Sequence, residues 1–227
     1  MRLLRGRAAD PDRDYRRTRE MTDRVASDRE AALRVWRPHR QVAFGRRDAS
    51  SDGYERAQAA ARDRGYAVVE RSVGGRAVAY TGSTVAVALA EPTDDPRGII
   101  QSRYDRVSDA VKQALSDCGV DAREGEPPDS FCPGTHSLQA AGKVAGLAQR
   151  VRQSVAVVGA VVVVRDHEEL AAVLTPVYAA LGVPFDPDSV GSVARAGGTD
   201  DPDRVAAALE AALTAERDAS VSHIRDT

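Results

Sequence analysis

The chain has 227 residues, 42% hydrophobic and 29% charged, with a formal net charge of −2. That length allows one sizeable core, and the near-balanced charge gives no reason to expect nucleic acid or an anionic membrane surface as a partner. Two cysteines, Cys118 and Cys132, are too few for a disulfide framework or a four-ligand metal site. His39, His136, His167 and His223 show no metal-ligand spacing, so no metal is expected. The opening MRLLRGRAAD lacks an apolar signal core. The longest apolar run, residues 155–164, is too short to span a bilayer and reads as a buried strand. A cytoplasmic protein with free thiols is the expectation.

In chain order, residues 11–34 are charged, without interior Gly or Pro, and predict one or two solvent-facing helices starting near Pro11. ALRVWRP and QVAFGRR read as short strands. SDGYERAQAAARDRG carries a Ser/Asp cap signal and closes on Gly65, which predicts a helix. YAVVERS is a strand that runs into VGGRAVAY, and STVAVALAE is another. GIIQSRYDRVSDAVKQALSDCG is the clearest helix, with Ile100, Val107, Val111 and Leu115 at helical spacing and Gly119 ending it. After the turn-rich EGEPPD, SLQAAGK and KVAGLAQRV predict two strands joined at Ala141-Gly142, followed by the strand SVAVVGAVVVV. HEELAAVLTPVYAALG is a helix with a kink or break expected at Pro176. DPDRVAAALEAALTAE is a last helix with an Asp-Pro start, and the last few residues are expected to fray. Strands and helices alternate irregularly, with hairpin-like pairs and no linker. This predicts a single α+β domain over residues 1–227, with a mixed, largely antiparallel sheet flanked by helices.

Two stretches carry chemistry. In ERSVGGRAVAY, Arg71 and Gly74-Gly75 lie between strands. Paired glycines let backbone approach a ligand, and Arg71 or Arg76 adds charge. An ordinary hairpin turn fits the same pattern, and the stretch is neither a P-loop nor a dinucleotide fingerprint. In FCPGTHSLQAAGK, Cys132 lies in a loop before Pro-Gly, and Lys143 follows eleven residues later. Of 32 basic residues only Lys112 and Lys143 are lysines. A nearby cation favours a thiolate, and a compact ammonium can also polarise an acyl carbonyl. His136 is a rival base, and a buried, unreactive thiol is the competing reading of Cys132.

RSVGGRAVAYTGSTVAVAL together with KVAGLAQR resembles the two signature regions of the lipoate–protein ligase and octanoyltransferase family, over residues 30–195. That family shares its class II synthetase-like catalytic fold with biotin–protein ligases. The resemblance implies that Arg71, Gly74, Gly75, Arg76, Ala77 and Val78 lie against the acyl group. It also implies that Lys143 contacts the acyl carboxyl end, with Gly146, Ala148 and Gln149 beside it. FCPG before the lysine resembles the branch that moves octanoyl or lipoyl groups through an acyl-cysteine, in particular from the glycine-cleavage H protein to other lipoyl domains. The reaction implied is transfer through acyl-Cys132, assisted by Lys143, to a lysine of lipoyl domains of 2-oxoacid dehydrogenases or H protein, with no cofactor. Val78, Val85 and Val87 are candidate acyl-tunnel residues as well as plain core.

The alternative is an ATP- and Mg-dependent lipoate–protein ligase. Such ligases typically carry a third glycine, where this chain has Arg76, and a His near Tyr80. Many also have a C-terminal accessory domain, and the resemblance implies that this chain lacks a full one. A non-catalytic binder of acyl groups or lipoyl domains is the remaining reading.

Overall fold

A computed structural model describes residues 1–71, 75–95, 100–152 and 154–224. In chain order the elements are β1 (Arg2–Arg5), α1 (Pro11–Asp28), β2 (Ala32–Trp36), β3 (Gln41–Phe44), α2 (Arg46–Ala49) and α3 (Tyr54–Arg62). Next come β4 (Ala67–Glu70), β5 (Val78–Tyr80), β6 (Val85–Pro92), α4 (Ile100–Asp117), β7 (Arg123–Glu124) and β8 (Ser137–Gln139). The chain continues with β9 (Lys143–Val151), β10 (Val155–Val162), α5 (His167–Leu181), α6 (Pro202–Thr214) and β11 (Ser220–His223).

Eight strands form one sheet in the order β11-β1-β2-β6-β10-β9-β8-β7, and β4-β3-β5 form a second. In the large sheet only β11–β1 and β1–β2 are parallel, so the mixed, largely antiparallel expectation holds. Strand alternation gives its faces different jobs. Leu33, Val35, Val85, Val87, Leu89, Val158 and Val162 point to one face. There they pack with Val107, Val111 and Leu115 of α4 and Val205, Leu209 and Leu213 of α6 to make the main core. The other face is made of small residues in register: Ala88 opposite Gly159 opposite Ala148, and Ala86 opposite Val161 opposite Gly146. α1 crosses this face, and the small sheet with α3 and α5 forms a second core beside it.

Several expectations are corrected. Of residues 11–34, 11–28 form one helix, capped by the Asp10 side chain accepting from Arg13 N–H at 2.8 Å, and 32–34 belong to β2. The helix is docked as well as solvent-facing. Fully buried Arg34 donates to the Asp14 carboxylate at 2.5 Å, to Thr18 Oγ1 at 2.7 Å and to the Gly6 carbonyl at 3.1 Å. α3 starts after Gly53 with no side-chain cap, so the Ser/Asp signal is not used. Ile100 is 37% exposed, because it opens α4 and Arg103 takes the inward place one turn later. α5 runs unbroken through Pro176. The carbonyl that a proline leaves unpaired is that of exposed Ala172, while Leu170, Val173, Leu174, Val177 and Tyr178 stay buried. After α6 the chain adds β11, parallel to β1, and the last three residues, expected to fray, lie outside the described residues. Among the described residues no helix is long and apolar enough to cross a membrane.

Candidate functional site

The small-residue face, α1, β3, β5 and the Phe131–Ser137 loop enclose a cavity of about 230 Å³. Gly146, Ala148, Gly159, Ala86 and Ala88 line its floor because they carry little or no side chain on that face. Val78 lines it, and Val87 borders both the cavity and the main core. Val85 lies in the main core. Cys132, Lys143 and Arg71 meet at the cavity wall.

Cys132 has a left-handed backbone, φ 44°. Its Sγ accepts from Arg71 Nη2 at 3.2 Å. Arg71 Nη2 also donates to the Arg76 carbonyl, while Arg71 Nε is buried without a hydrogen-bond partner. Burial opposes the charge of Arg71, but the facing Cys132 sulfur and Tyr80 leave its pKa raised overall. Tyr80 is buried, and burial pushes its hydroxyl up to about 12, with Arg71 pulling the other way.

Gly75 is required here twice over. Its φ is +101°, and a Cβ on it would stand 2.7 Å from Cys132 Sγ and 3.0 Å from Arg71 Nη2. A Cβ on Gly45 would in turn stand 2.0 Å from the Gly75 carbonyl oxygen. The end of β3 therefore meets Gly75 backbone to backbone, and Gly75 in turn lies against the Cys132 side chain.

Lys143 begins β9 after a hairpin turn in which Ala141 (φ 51°) and Gly142 (φ 102°) are both left-handed. Its ammonium is buried and reaches the Cys132 carbonyl at 3.0 Å, the Phe131 carbonyl at 2.9 Å and both carboxylate oxygens of Glu126 at 2.9 and 3.1 Å. The cation at the sulfur is therefore Arg71, and Lys143 braces the loop main chain. Glu126 also accepts from the Ser130 and Ser137 hydroxyls and from Gly134 N–H at 3.2 Å, gathering the loop around one carboxylate.

The other expected site residues divide. Arg76 faces buried Asp48 at 3.3 Å. Ala77 is buried, and its carbonyl accepts from Tyr178 Oη at 2.9 Å. Gln149 is on the opposite face of β9 from Ala148. Its N–H donates to Tyr104 Oη at 2.7 Å, and its side-chain amide is within 3.2 Å of the Ile100 carbonyl and Arg103. Gly74 lies outside the described residues. His136 stacks on Tyr104, ring centroids 3.6 Å apart, and is engaged there. No group of His, Cys, Asp and Glu among the described residues could hold a metal.

Glu126 and Tyr178 are the residues the motifs did not name. A buried lysine needs a counterion, and that requirement was the only signal pointing to Glu126. Nothing in the sequence singled out Tyr178.

Cys118 is a contrast. It is 3% exposed, and burial pushes its thiol up, with Arg204 opposing and Asp117 adding to the shift. Iodoacetamide is expected to modify Cys132 at least about tenfold faster than Cys118 in the native protein. Peptide mass mapping over a time course measures this, and equal rates would contradict the assigned environments.

The mixed sheet flanked by helices is shared with solved lipoate–protein ligases. A lipoate-protein ligase A bound with ATP superposes with a TM-score of 0.78 at 22% identity, covering 99% of this chain and 89% of that one. A bi-partite lipoate protein ligase from Thermoplasma acidophilum gives 0.69 at 22% identity, covering 99% and 87%. The chain belongs to the lipoyl protein ligase A/B catalytic domain family, whose model matches residues 11–214.

Among curated relatives, a lipoyl-[GcvH]:protein N-lipoyltransferase of Listeria monocytogenes is 31% identical over 122 residues, 53% of this chain and 44% of that protein. An octanoyl-[GcvH]:protein N-octanoyltransferase of Geobacillus kaustophilus is 31% identical over 134 residues, 58% and 47%. The matches thus span about half the length of these relatives.

Proposed function

We propose that this chain transfers an octanoyl or lipoyl group to the lysine of a lipoyl domain through an acyl-Cys132 thioester. The observation that carries this reading is Cys132 Sγ on the cavity wall, 3.2 Å from the Arg71 guanidinium. The names of the transferase relatives, with the H protein as their printed substrate, support it.

In the first step the thiolate attacks the carbonyl of the acyl donor while the chain lies on the Ala88–Gly159–Ala148 floor. The carbonyl π pair moves to oxygen, and the Arg71 guanidinium beside the sulfur is the cation nearest that charge. The donor's leaving group departs, as an amine that takes up a proton if the donor is an acylated lysine, and the acyl–sulfur bond remains. In the second step the acceptor lysine amine attacks the thioester, the carbon–sulfur bond breaks, and the thiolate returns to Arg71 as the new amide loses its proton to solvent. Lys143 holds the Phe131 and Cys132 carbonyls throughout. The partners under this reading are lipoyl domains, those of 2-oxoacid dehydrogenases and the H protein, and no ATP or Mg²⁺ takes part.

Intact mass after incubation with octanoylated H protein or an octanoyl carrier protein, with and without ATP, tests this. A mass gain without ATP that maps to the Cys132 peptide is the expected result. Absence of an adduct, with ATP-dependent modification of an apo lipoyl domain by free octanoate or lipoate, would establish the ligase alternative instead. Arg76, where such ligases typically carry a third glycine, disfavours that alternative.

A further inference from the structure

Cys132 N–H donates to Tyr178 Oη at 2.6 Å, and Tyr178 Oη donates to the Ala77 carbonyl at 2.9 Å. One hydroxyl therefore joins the thiol loop to the entry of β5, the two regions that carry the family motifs. Tyr178 is fully buried, and its hydrogen-bonding sites beyond these two face the interior. Cys132 holds a left-handed backbone, which a residue with a Cβ adopts only when its surroundings impose it. The imposing contacts are on either side of its Cα. Tyr178 takes the N–H and Lys143 takes the carbonyl at 3.0 Å.

We propose that Tyr178 is a positioning residue: its hydroxyl clamps the Cys132 amide to the Ala77 carbonyl, fixes the sulfur beside Arg71, and withdraws the nucleophile's own N–H from oxyanion binding. In many acyl-transfer sites the amide of the nucleophile is one of the oxyanion donors. Here that amide is already spent, and the positive charge beside the sulfur is the Arg71 guanidinium. Burial pushes the Tyr178 hydroxyl well up, with the facing Cys132 sulfur adding to the shift, so it stays a donor to Ala77 through the working pH range. The catalytic part of this assignment rests on the acyl-Cys132 reading, while the positional part stands on geometry alone.

The test uses Tyr178→Phe, Arg71→Met and the double variant, with two readouts. The first needs no acyl substrate: the rate at which iodoacetamide alkylates Cys132. Tyr178→Phe and Arg71→Met are each expected to slow it about tenfold, and the double variant no further, because both act through one sulfur–guanidinium contact. The second is acyl transfer, where Tyr178→Phe is expected to lower kcat about 30-fold with KM for the acyl donor within about twofold.

Wild-type alkylation in Tyr178→Phe, additive losses in the double variant, or a raised KM with kcat intact would each overturn the assignment. If wild type forms no acyl-enzyme with any donor but Tyr178→Phe still slows alkylation, the transfer reading fails and the clamp stands. Should Tyr178→Phe not fold, hydrogen exchange of wild type decides: the Cys132 amide is expected to be protected well beyond its loop neighbours, and exchange at their rate would refute the clamp.

Discussion

Replacing Lys143 with methionine is expected to lower the rate of acyl-Cys132 formation about 10³-fold and to destabilise the fold by about 3 kcal/mol. The ammonium is 1% exposed and serves three acceptors at once: the Glu126 carboxylate and the carbonyls of Phe131 and Cys132. Methionine fills the same volume without a donor. It strands two carbonyls and leaves the Glu126 carboxylate without its cation. Breaking a buried pair from one side costs about 3–5 kcal/mol, and the 24% exposure of the Glu126 side chain puts this case at the lower end.

Lys143→Arg is expected to fail in activity as well. A Cβ on Gly146 would stand only 3.3 Å from Lys143 Cε, so the slot is narrow, and a planar fork cannot address three acceptors arranged around a point charge. The control is Lys143→Met with Glu126→Gln, which removes the stranded charge. It should recover much of the stability but little of the activity. Chemical denaturation and single-turnover acylation measure the two quantities separately. If Lys143→Met were as stable and active as wild type, the brace described here would be wrong.

The second large effect concerns the cavity floor. Gly159→Leu is expected to reduce acylation by octanoyl and lipoyl donors at least about 50-fold while sparing acetyl or butyryl thioesters. The Gly159 position has room for a side chain in the folded protein. A Cβ there would meet only the Val87 and Ala148 carbonyl oxygens, at 3.6 and 3.8 Å, which is ordinary contact. The rest of a leucine side chain projects from the small-residue face into the space the acyl chain would use. Stability should change by no more than about 1 kcal/mol, so a thermal melt separates blockage from misfolding. Equal loss for short and long chains would mean that this floor does not seat the acyl group.

The sequence made most of the secondary structure legible, because period and caps are local. The Asp10-Pro11 and Asp201-Pro202 starts, the α4 stripe of Val107, Val111 and Leu115, and the hairpin into Lys143 all follow from neighbouring residues. The two motif regions also met in space, as the resemblance implied. What stayed hidden was set by partners distant in the chain. Arg71 meets the sulfur across 61 positions, and Tyr178 reaches Ala77 across 101. Whether a cation near Cys132 faces its sulfur or its carbonyl cannot be read from spacing, so Lys143 stood where Arg71 belongs. Gln149, which the resemblance puts beside the acyl end, faces away from the cavity, and alternation with Ala148 already puts it there. The same alternation would have found the floor. In VAVALA the small residues Ala86 and Ala88 interleave with Val85, Val87 and Leu89, and a face of alanines between two larger-residue layers is a recess.

The groups that pin Cys132 belong to different cores. Tyr178, Ala77 and Phe131 pack in the core around the small sheet, while Lys143 is carried by β9, whose neighbours Val144, Ala145 and Leu147 pack in the main one. Cys132 is therefore held from both cores. A substitution in either core that shifts Tyr178 or Lys143 would bear on the Cys132 backbone from a distance. Under the acyl-Cys132 reading, activity would then depend on this alignment as well as on the fold.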